Sequence, residues 1–366
     1  MARLKKNTLV LLAAGAALLI CAVLSLLIGA VRIPPTELWQ SLTQRDSAAG
    51  QILLHVRLPR LFAAALAGAA LAVSGVLIQT VLQNPLASPG IIGVNAGAGL
   101  GAALFLAFLP GAVLLLPVAA FAGALASVLA VCALARRVNA SRITLVLSGV
   151  AISALFTAGV NTIAVTHTNI MGALRDFQNG GFAGISAGAV ATAAPLILLG
   201  LLPALLFAGE LDVLGLGEES AASLGLNVRF YRLFFLTLAA VLAGAAVSFA
   251  GLLGFVGLMV PHMARRLLSG GKNGQRRKAP PNAESENNDL SKTCRRSKNA
   301  LAEFGGGKRT LIALSALMGA AFLLLCDTIA RTVFAPHELP TGILIAYLGV
   351  PFFLWLLFRE RRKRRD

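Results

Sequence analysis

The sequence predicts an all-α integral membrane protein with about ten transmembrane helices, on the basis of its composition and the length of its apolar runs. Of the 366 residues, 57% are hydrophobic and 13% are charged, whereas soluble proteins carry about a quarter of charged residues. The apolar runs are close to the roughly 20 residues that cross a hydrocarbon core of about 30 Å. A transmembrane barrel would instead alternate apolar and polar residues in segments of about ten, and this chain has no such alternation.

Ten apolar runs qualify as candidate spans. They cover residues 8–31, 59–80, 90–108, 112–135, 143–166, 188–208, 230–250, 252–268, 309–333 and 342–358. The eighth run is short and rich in glycine. The first run follows a basic cluster, as the apolar core of a signal peptide does, but it is longer than such a core and no convincing cleavage site follows it. We therefore predict that the first run is also a span.

The distribution of basic residues predicts the orientation. With the N-terminus in the cytoplasm, 26 of the 32 lysines and arginines fall in cytoplasmic segments, as the positive-inside rule requires. The six that remain outside are Arg32, Arg45, Arg57, Arg60, Arg175 and Arg331. Both termini are therefore predicted to be cytoplasmic. The formal net charge of +17 is explained by this arrangement beside anionic inner-leaflet lipids, and no folded basic domain indicates a nucleic-acid partner.

The chain is predicted to be one transmembrane domain over residues 1–366, with two polar segments. Segment 270–308 is rich in Lys, Arg, Asn, Gly and Ser and lacks periodicity, which is typical of a disordered loop inserted on the cytoplasmic side. A tolerated insertion and a regulatory or partner-binding role are both open for it. Residues 359–366 are predicted to form a basic cytoplasmic tail.

The sequence contains no recognisable motif for nucleotide binding, metal binding or catalysis. The run GGGKRT at 305–310 differs from a phosphate-binding loop, because Ala302 stands where the first glycine is needed and Arg309 where a Ser or Thr is needed. The four histidines are scattered, with no two at metal-ligand spacing. We therefore expect no catalytic residue and no metal site, and a membrane-embedded enzyme is disfavoured because it needs clustered nucleophile, base or metal ligands.

Segment 209–232 differs from an ordinary loop between membrane helices. It carries Glu210, Asp212, Glu218 and Glu219, and then a short amphipathic piece. The pattern predicts two short helices with small residues at the corner, suited to a groove on a partner protein. A helix lying on the lipid surface is the alternative, but acidic side chains beside anionic lipid disfavour it.

Four stretches together resemble the permease subunit of ABC importers for iron-siderophores, haem and cobalamin. They are RLPRLFAAALAGAALAVSGVLIQTVLQNPLASPGIIGVNAGAGLGA (57–102), LGEESAASLGLNVRFYRL (216–233), GFVGLMVPHMARRL (254–267) and DTIARTVFAPHELPTGILIAYLGVPFFLWLL (327–357). The resemblance covers nearly the whole chain in order. It implies a type II ABC importer permease fold, and the ten predicted spans match the ten helices of that subunit. Segment 167–187 departs from the family because it lacks the usual tryptophans.

The resemblance implies partners and the residues that meet them. The family's permease forms a homodimer, receives two ATP-binding cassette subunits on the cytoplasmic side, and docks a substrate-binding protein outside. The residues that match the ATPase-coupling loop are Glu218, Glu219, Ala222, Leu224 and Gly225. The residues that match the docking positions are Arg57, Arg60 and Arg331. Arginine pairs well with carboxylates in oriented, reversible contacts; the alternative is that these arginines only mark the water interface.

The stretch QNPLASPG interrupts the apolar pattern because Pro85 and Pro89 cannot continue a helix. It predicts a tight cytoplasmic-side bend between the second and third spans. The resemblance implies a cytoplasmic gate made by this bend and by the turn between the fourth and fifth spans. The matching residues are Asn84, Pro85 and Leu86 in the bend, and Ser141, Arg142 and Ile143 in the turn. Glycines at four-residue spacing then follow, which predicts close helix packing; they are Gly93, Gly97 and Gly101.

A few polar residues lie within the predicted spans. Asp327 and Arg331 are four residues apart on one helix and can pair with each other, which would compete with docking by Arg331. Asn95 and Asn161 suit contact with a passing solute or hydrogen bonds between helices.

The sequence therefore predicts the multi-pass plasma-membrane subunit of an ATP-driven importer that works by alternating access. The chain itself is expected to bind no cofactor, with ATP and magnesium held by the partner ATPase. An ion-gradient-driven secondary transporter is the alternative, although that class usually needs a carboxylate or a broken helix near mid-membrane. The solute, whether a siderophore, haem or cobalamin, cannot be read from the residues.

Overall fold

The computed structural model describes residues 2–29, 47–137, 142–269, 307–333, 335 and 337–365, and every regular element in this part of the chain is helical. The α-helices in chain order are α1 (Ala2–Leu27), α2 (Ala48–Ile52), α3 (Leu58–Val81), α4 (Val94–Phe108), α5 (Leu116–Arg137), α6 (Arg142–Thr166), α7 (Met171–Asn179), α8 (Ala187–Leu206), α9 (Ala208–Leu214), α10 (Glu218–Ser223), α11 (Val228–Ala250), α12 (Val256–Ser269), α13 (Lys308–Ala330) and α14 (Thr341–Arg365). A π-helical turn, Leu53–Arg57, joins α2 to α3.

Each of the ten predicted spans coincides with one of these helices, and the all-α membrane fold is confirmed. Within the described residues, seven helices are long and apolar enough to cross a membrane by length and composition, and the apolar parts of α4 and α14 are shorter. The eighth predicted span is the 14-residue α12. Helix α14 continues past the predicted end of its span as far as Arg365. Most of the predicted insertion, residues 270–306, lies outside the described residues.

Helix α3 lies at the centre of the bundle, packed against α11, α12 and α13. Small residues along α3 let these neighbours approach to backbone contact, as is common in membrane helices. A Cβ atom on Gly75 would lie 1.9 Å from the carbonyl oxygen of Gly257 in α12. On the α13 side, a Cβ atom on Gly68 would lie 2.2 Å from the carbonyl oxygen of Gly319. The core is therefore held by close helix packing, with alanine as its commonest buried side chain.

Helices α1 and α8 lie at the edge of the bundle and expose large apolar side chains, as lipid-facing helices do. Leu9, Leu12 and Leu19 of α1 are exposed, as are Leu198 and Leu199 of α8. A leucine side chain that faces lipid costs no free energy, because lipid tails are as apolar as leucine. These surfaces therefore need no protein partner to explain them.

Backbone hydrogen bonds join the end of α7 to the connection between α11 and α12 and to the start of α14. The amide of Leu252 donates to the carbonyl of Phe177 at 2.9 Å, and the amide of Gly181 donates to the carbonyl of Ala250 at 2.8 Å. The amide of Gly342 in turn donates to the carbonyl of Gly180 at 3.1 Å. By the predicted orientation this is the extracytoplasmic end, and these bonds fix α7 against the starts of α12 and α14.

Candidate functional site

The segment between α8 and α11, residues 208–226, forms a compact unit that we call the coupling element. It consists of α9 and α10 joined by a corner at residues 215–217, so the predicted pair of short helices is present. Gly217 has φ of +115°, a conformation that only glycine adopts at low cost. The corner therefore depends on glycine to turn the chain between the two helices.

Helix α10 presents most of its surface to solvent. It ends in a Schellman motif, in which the amide of Leu226 donates to the carbonyl of Ala221 at 3.0 Å and Gly225 has φ of +83°. Of its residues, Ala221 is fully buried. Among the residues predicted to couple to an ATPase, Glu218 is half-buried and the others are exposed: Glu219, Ala222, Leu224 and Gly225. Leu224 is 55% exposed, so this helix offers an apolar contact outside the lipid.

Polar contacts hold the coupling element to the bundle. Glu218 forms an ion pair with Arg232 of α11. The carboxylate of Asp212 accepts the amide of Lys308 with its two oxygens at 3.0 and 3.1 Å, which caps the N-terminus of α13. Burial raises the pKa of the Asp212 carboxyl above its ordinary value, although the amide and the charge of Lys308 oppose this. Both α11 and α13 are therefore attached directly to the coupling element.

A groove of about 1150 Å³ opens beside α10. Its walls come from α5, the start of α6, α10 and the start of α11. Glu219 and Arg229 line it together with Phe230, which is 59% exposed. A mixed-charge groove with an exposed aromatic ring is the kind of surface that a partner protein covers.

The bend between α3 and α4 is tightly structured. The amide of Leu86 donates to Oδ1 of Asn84 at 2.9 Å, and the amide of Ala87 donates to the Asn84 carbonyl at 3.1 Å. Asn84 and Pro85 are exposed, and Leu86 is half-buried. In the second predicted gate segment, Ile143 is 72% exposed; Ser141 and the side chain of Arg142 lie outside the described residues. Gate function for these six residues stays a prediction.

The three glycines after the bend face α5. A Cβ atom on Gly93 would lie 2.4 Å from Oγ of Ser127, and Gly93 itself has φ of +88°. For Gly97 the nearest atom would be the carbonyl oxygen of Gly123, at 2.3 Å. A Cβ atom on Gly101 would lie 2.3 Å from the carbonyl oxygen of Ala119. Gly97 and Gly101 therefore have the close backbone approach that packing of α4 on α5 requires, and Gly93 leaves room for the Ser127 side chain.

The three arginines predicted to dock a partner are buried within this chain. Arg57, Arg60 and Arg331 are 4%, 5% and 5% exposed. Arg57 donates to the carbonyl of Leu26 in α1. Arg331 donates to the carbonyl and, at 2.8 Å, to the hydroxyl of Ser25. The guanidinium groups of Arg57 and Arg331 therefore tie α1 to the outer ends of α3 and α13, and the docking role of all three arginines stays a prediction.

Asp327 is the centre of this arginine cluster and is fully buried. Arg60 donates to it from Nε and Nη2, with 2.9 Å from Nε to Oδ2 and 2.9 Å from Nη2 to Oδ1. The hydroxyl of Thr341 also donates to Oδ1, at 3.0 Å. Arg60 also donates to Glu338 at 2.8 Å. The predicted partner, Arg331, keeps its Nε 3.9 Å from the Asp327 carboxylate. The main ion pair thus links α13 to α3, and the i,i+4 pair within α13 is the weaker contact.

Helix α6 exposes large apolar side chains such as Leu147, Leu155 and Val165, and polar residues lie among them on its exposed surface. Thr157, Asn161 and Thr162 are exposed. The two threonine hydroxyls donate to carbonyls four residues earlier in the helix, at 2.8 and 2.9 Å, but the Asn161 amide has no such bond among the described contacts. Asn95, at the start of α4, is half-buried. An exposed amide in a membrane span needs water or a protein partner.

Sequence reasoning gave no role to several residues that hold these sites together. Glu338, Ser25 and Thr341 complete the arginine cluster, and Gln83 contacts the coupling element. Ser25 and Thr341 are common residues without a motif, so the sequence carries no signal for them. Gln83 lies in the quoted bend, and its position beside Asn84 was the available signal.

Comparison with known proteins agrees with this architecture. The model of the FecCD transport family matches residues 17–276 and 300–359, and the interruption falls inside the predicted insertion. An iron(III)-citrate import system permease, YfmE of Bacillus subtilis, is 34% identical and covers 98% of each chain. The iron(III) dicitrate permease FecD of Escherichia coli is 36% identical over 93% of this chain and 95% of its own length. The hemin permease HmuU of Yersinia pestis is also 36% identical, over 95% and 94%.

A solved structure has the same fold. It is described as an inward-facing metal-chelate type ABC transporter, and it superposes with a TM-score of 0.77 and 27% identity over 95% of this chain and 98% of that chain. These matches extend over almost the full length of the relatives, and they confirm the resemblance stated from the four sequence stretches. The chain belongs to the FecCD transport family and is a multi-pass plasma-membrane permease subunit of an ABC importer.

Proposed function

We propose that this permease is one half of a homodimer that imports an iron chelate through an aqueous pathway along α6. The single observation that carries the proposal is the exposed Asn161 side chain on α6 within a membrane span. In hydrocarbon an unpaired amide such as that of Asn161 is costly, whereas against water or a second protein surface it is not. A second copy facing α6 would leave a polar channel between the two chains.

Energy reaches this pathway from outside the chain. The coupling element is exposed, carries acidic residues and an exposed leucine, and is tied to α11 and α13. These properties suit a seat for an ATPase subunit that binds ATP and magnesium and drives alternating access. The permease itself binds no nucleotide and hydrolyses none in this scheme. An ion-driven mechanism is disfavoured, because the buried Asp327 is already paired with Arg60 and would have to break that pair to carry an ion.

The arginine cluster is the proposed docking site for a substrate-binding protein. In the described residues the cluster contains three guanidinium groups and two carboxylates, Asp327 and Glu338. Glu338 has a side chain that is 38% exposed, so it is the member nearest to solvent. A carboxylate of the docking protein would supply the third negative charge and form charge-assisted bonds with these arginines.

The proposed solute is an iron(III) chelate, with haem as the next choice. The relatives named above are permeases for iron(III) citrate, iron(III) dicitrate and hemin. We propose iron citrate or a related carboxylate chelate first because two of these three relatives carry that solute.

A cysteine scan tests the α6 pathway. In a chain whose four natural cysteines are replaced by alanine or serine, Asn161→Cys should react with a membrane-impermeant maleimide in the intact importer, because water reaches that position. The matched variant Leu199→Cys, on the lipid-facing side of α8, should stay unlabelled. Ferric chelate present during labelling should slow the reaction at position 161. Equal labelling of the two positions, or protection of residue 161 under all conditions, would contradict the proposed pathway.

A further inference from the structure

The predicted gate bend and the coupling element meet at one side chain, that of Gln83. Its Nε2 donates to the carbonyl of Leu214, the last residue of α9, at 3.3 Å. A Cβ atom on Gly217 would lie 3.8 Å from the same Nε2, and one on Gly215 would lie 3.5 Å from Cγ2 of Thr80. The end of α3 and the corner of the coupling element are therefore in direct contact.

The backbone of Gln83 is also unusual. Its φ is +47°, and only one other non-glycine residue in the described part of the chain, Phe255, has a positive φ. Left-handed backbone is unfavourable for a residue with a Cβ, and outside glycine it is asparagine, aspartate and histidine that adopt it more readily. The positive φ places Gln83 at the C′ position of a Schellman motif that ends α3, since the amide of Asn84 donates to the carbonyl of Gln79 and the amide of Gln83 donates to the carbonyl of Thr80 at 3.2 Å. From this position the glutamine amide reaches the carbonyl of Leu214.

The bend that follows Gln83 is internally connected. The amide of Asn84 donates to the carbonyl of Gln79 at 3.1 Å, and the Asn84 side chain accepts the amide of Leu86 at 2.9 Å. These bonds make residues 84–86 a single turn attached to the end of α3. A displacement of Leu214 that pulls on Gln83 would therefore move the predicted gate residues with it.

We propose that Gln83 is a positioning residue that couples movement of the ATPase-binding segment to the cytoplasmic gate. The proposal rests on the proposed function, in which the coupling element seats the ATPase. When the ATPase shifts α9 and the corner, the hydrogen bond from Gln83 to Leu214 carries that shift into the Asn84–Leu86 turn. Without the bond, nucleotide hydrolysis continues but opens the gate inefficiently.

The test measures ATP hydrolysed per solute imported, in proteoliposomes that hold the permease with its ATPase and its binding protein. Gln83→Glu keeps the side-chain length but replaces the donor amide with a carboxylate that repels the Leu214 carbonyl. We expect ATP hydrolysis and assembly close to wild type, while uptake of ferric chelate falls by about tenfold, the size expected for losing a hydrogen bond of this kind. The ratio of ATP to solute therefore rises by a similar factor.

Two further variants keep the test decisive. Gln83→Gly relieves the left-handed strain and removes the side chain, so it should fold at least as well and show the same raised ratio. Gln178→Glu makes the same chemical change on an exposed residue of α7 and should leave the ratio unchanged. A wild-type ratio in both Gln83 variants, or hydrolysis and uptake falling in parallel, would overturn the coupling role. Absence of ATP-driven uptake in the wild-type complex would instead overturn the proposed function.

Discussion

Replacing Asp327 with asparagine should lower the free energy of unfolding by about 3–5 kcal/mol, the usual cost of removing one partner from a buried ion pair. Asp327 is fully buried and accepts hydrogen bonds from Arg60 and Thr341. Asparagine has nearly the same shape but no charge, so two buried guanidinium groups would lose their shared carboxylate. The cluster that ties α1, α3, α13 and α14 together would then carry uncompensated positive charge.

The unfolding temperature can be measured through the reactivity of the buried natural cysteines. Cys326 is 1% exposed and Cys132 is 6% exposed, so a thiol-reactive fluorophore reports unfolding in detergent as temperature rises. The Asp327→Asn protein should react at a clearly lower temperature than wild type. Asp176→Asn changes an exposed carboxylate on α7 and should react at the wild-type temperature. If the two variants behaved alike, Asp327 would not be the centre of a stabilising cluster.

Placing any side chain on Gly75 should separate α3 from α12. A Cβ atom there would lie 1.9 Å from the Gly257 carbonyl oxygen, and neither helix backbone can move aside without disturbing the core. Overpacking a core usually costs about 1–3 kcal/mol and occasionally more, and the clash here is with backbone, so we place Gly75→Ala at the upper end. Gly75→Leu should prevent accumulation of folded protein in the membrane.

Gly15→Ala is the matched control for this prediction. Gly15 lies in α1, and a Cβ atom added there meets nothing within 4 Å. Alanine has a higher helix propensity than glycine, so this variant should be at least as stable as wild type. The two alanine variants are compared by the same thermal reaction of buried cysteines. Equal unfolding temperatures would show that α3 and α12 are not in the close contact described.

The sequence predicted the helices well because the relevant signal is local. A long apolar run must satisfy its own backbone hydrogen bonds in lipid, and a helix does so within the run. The same logic located the bend at Pro85 and Pro89, since proline removes a donor from the helix ladder. The coupling element was also predictable, because its acidic residues and small corner residues stand out between two apolar runs.

Contacts between distant parts of the chain were not predictable in this way. The spacing of Asp327 and Arg331 predicted a pair within one helix, but Arg60, 267 residues away, has the better geometry. The arginines predicted to dock a partner illustrate the same limit: the sequence indicated their positions beside the water interface, whereas their burial depends on Ser25, Leu26 and Glu338. Gln83 lies in the bend that the sequence predicted, but only the packed structure brings it to Leu214.

The most direct test of an externally powered permease is solute accumulation in proteoliposomes of defined composition. With its ATPase and binding protein, the chain should accumulate ferric chelate against a gradient when Mg-ATP is present, and ionophores that dissipate proton and sodium gradients should leave this uptake unchanged. Liposomes that contain the chain without the ATPase should accumulate none. Uphill uptake by the chain alone, or uptake abolished by the ionophores while ATP hydrolysis continues, would contradict the assignment of the energy source to a partner ATPase, which we propose binds residues 208–226.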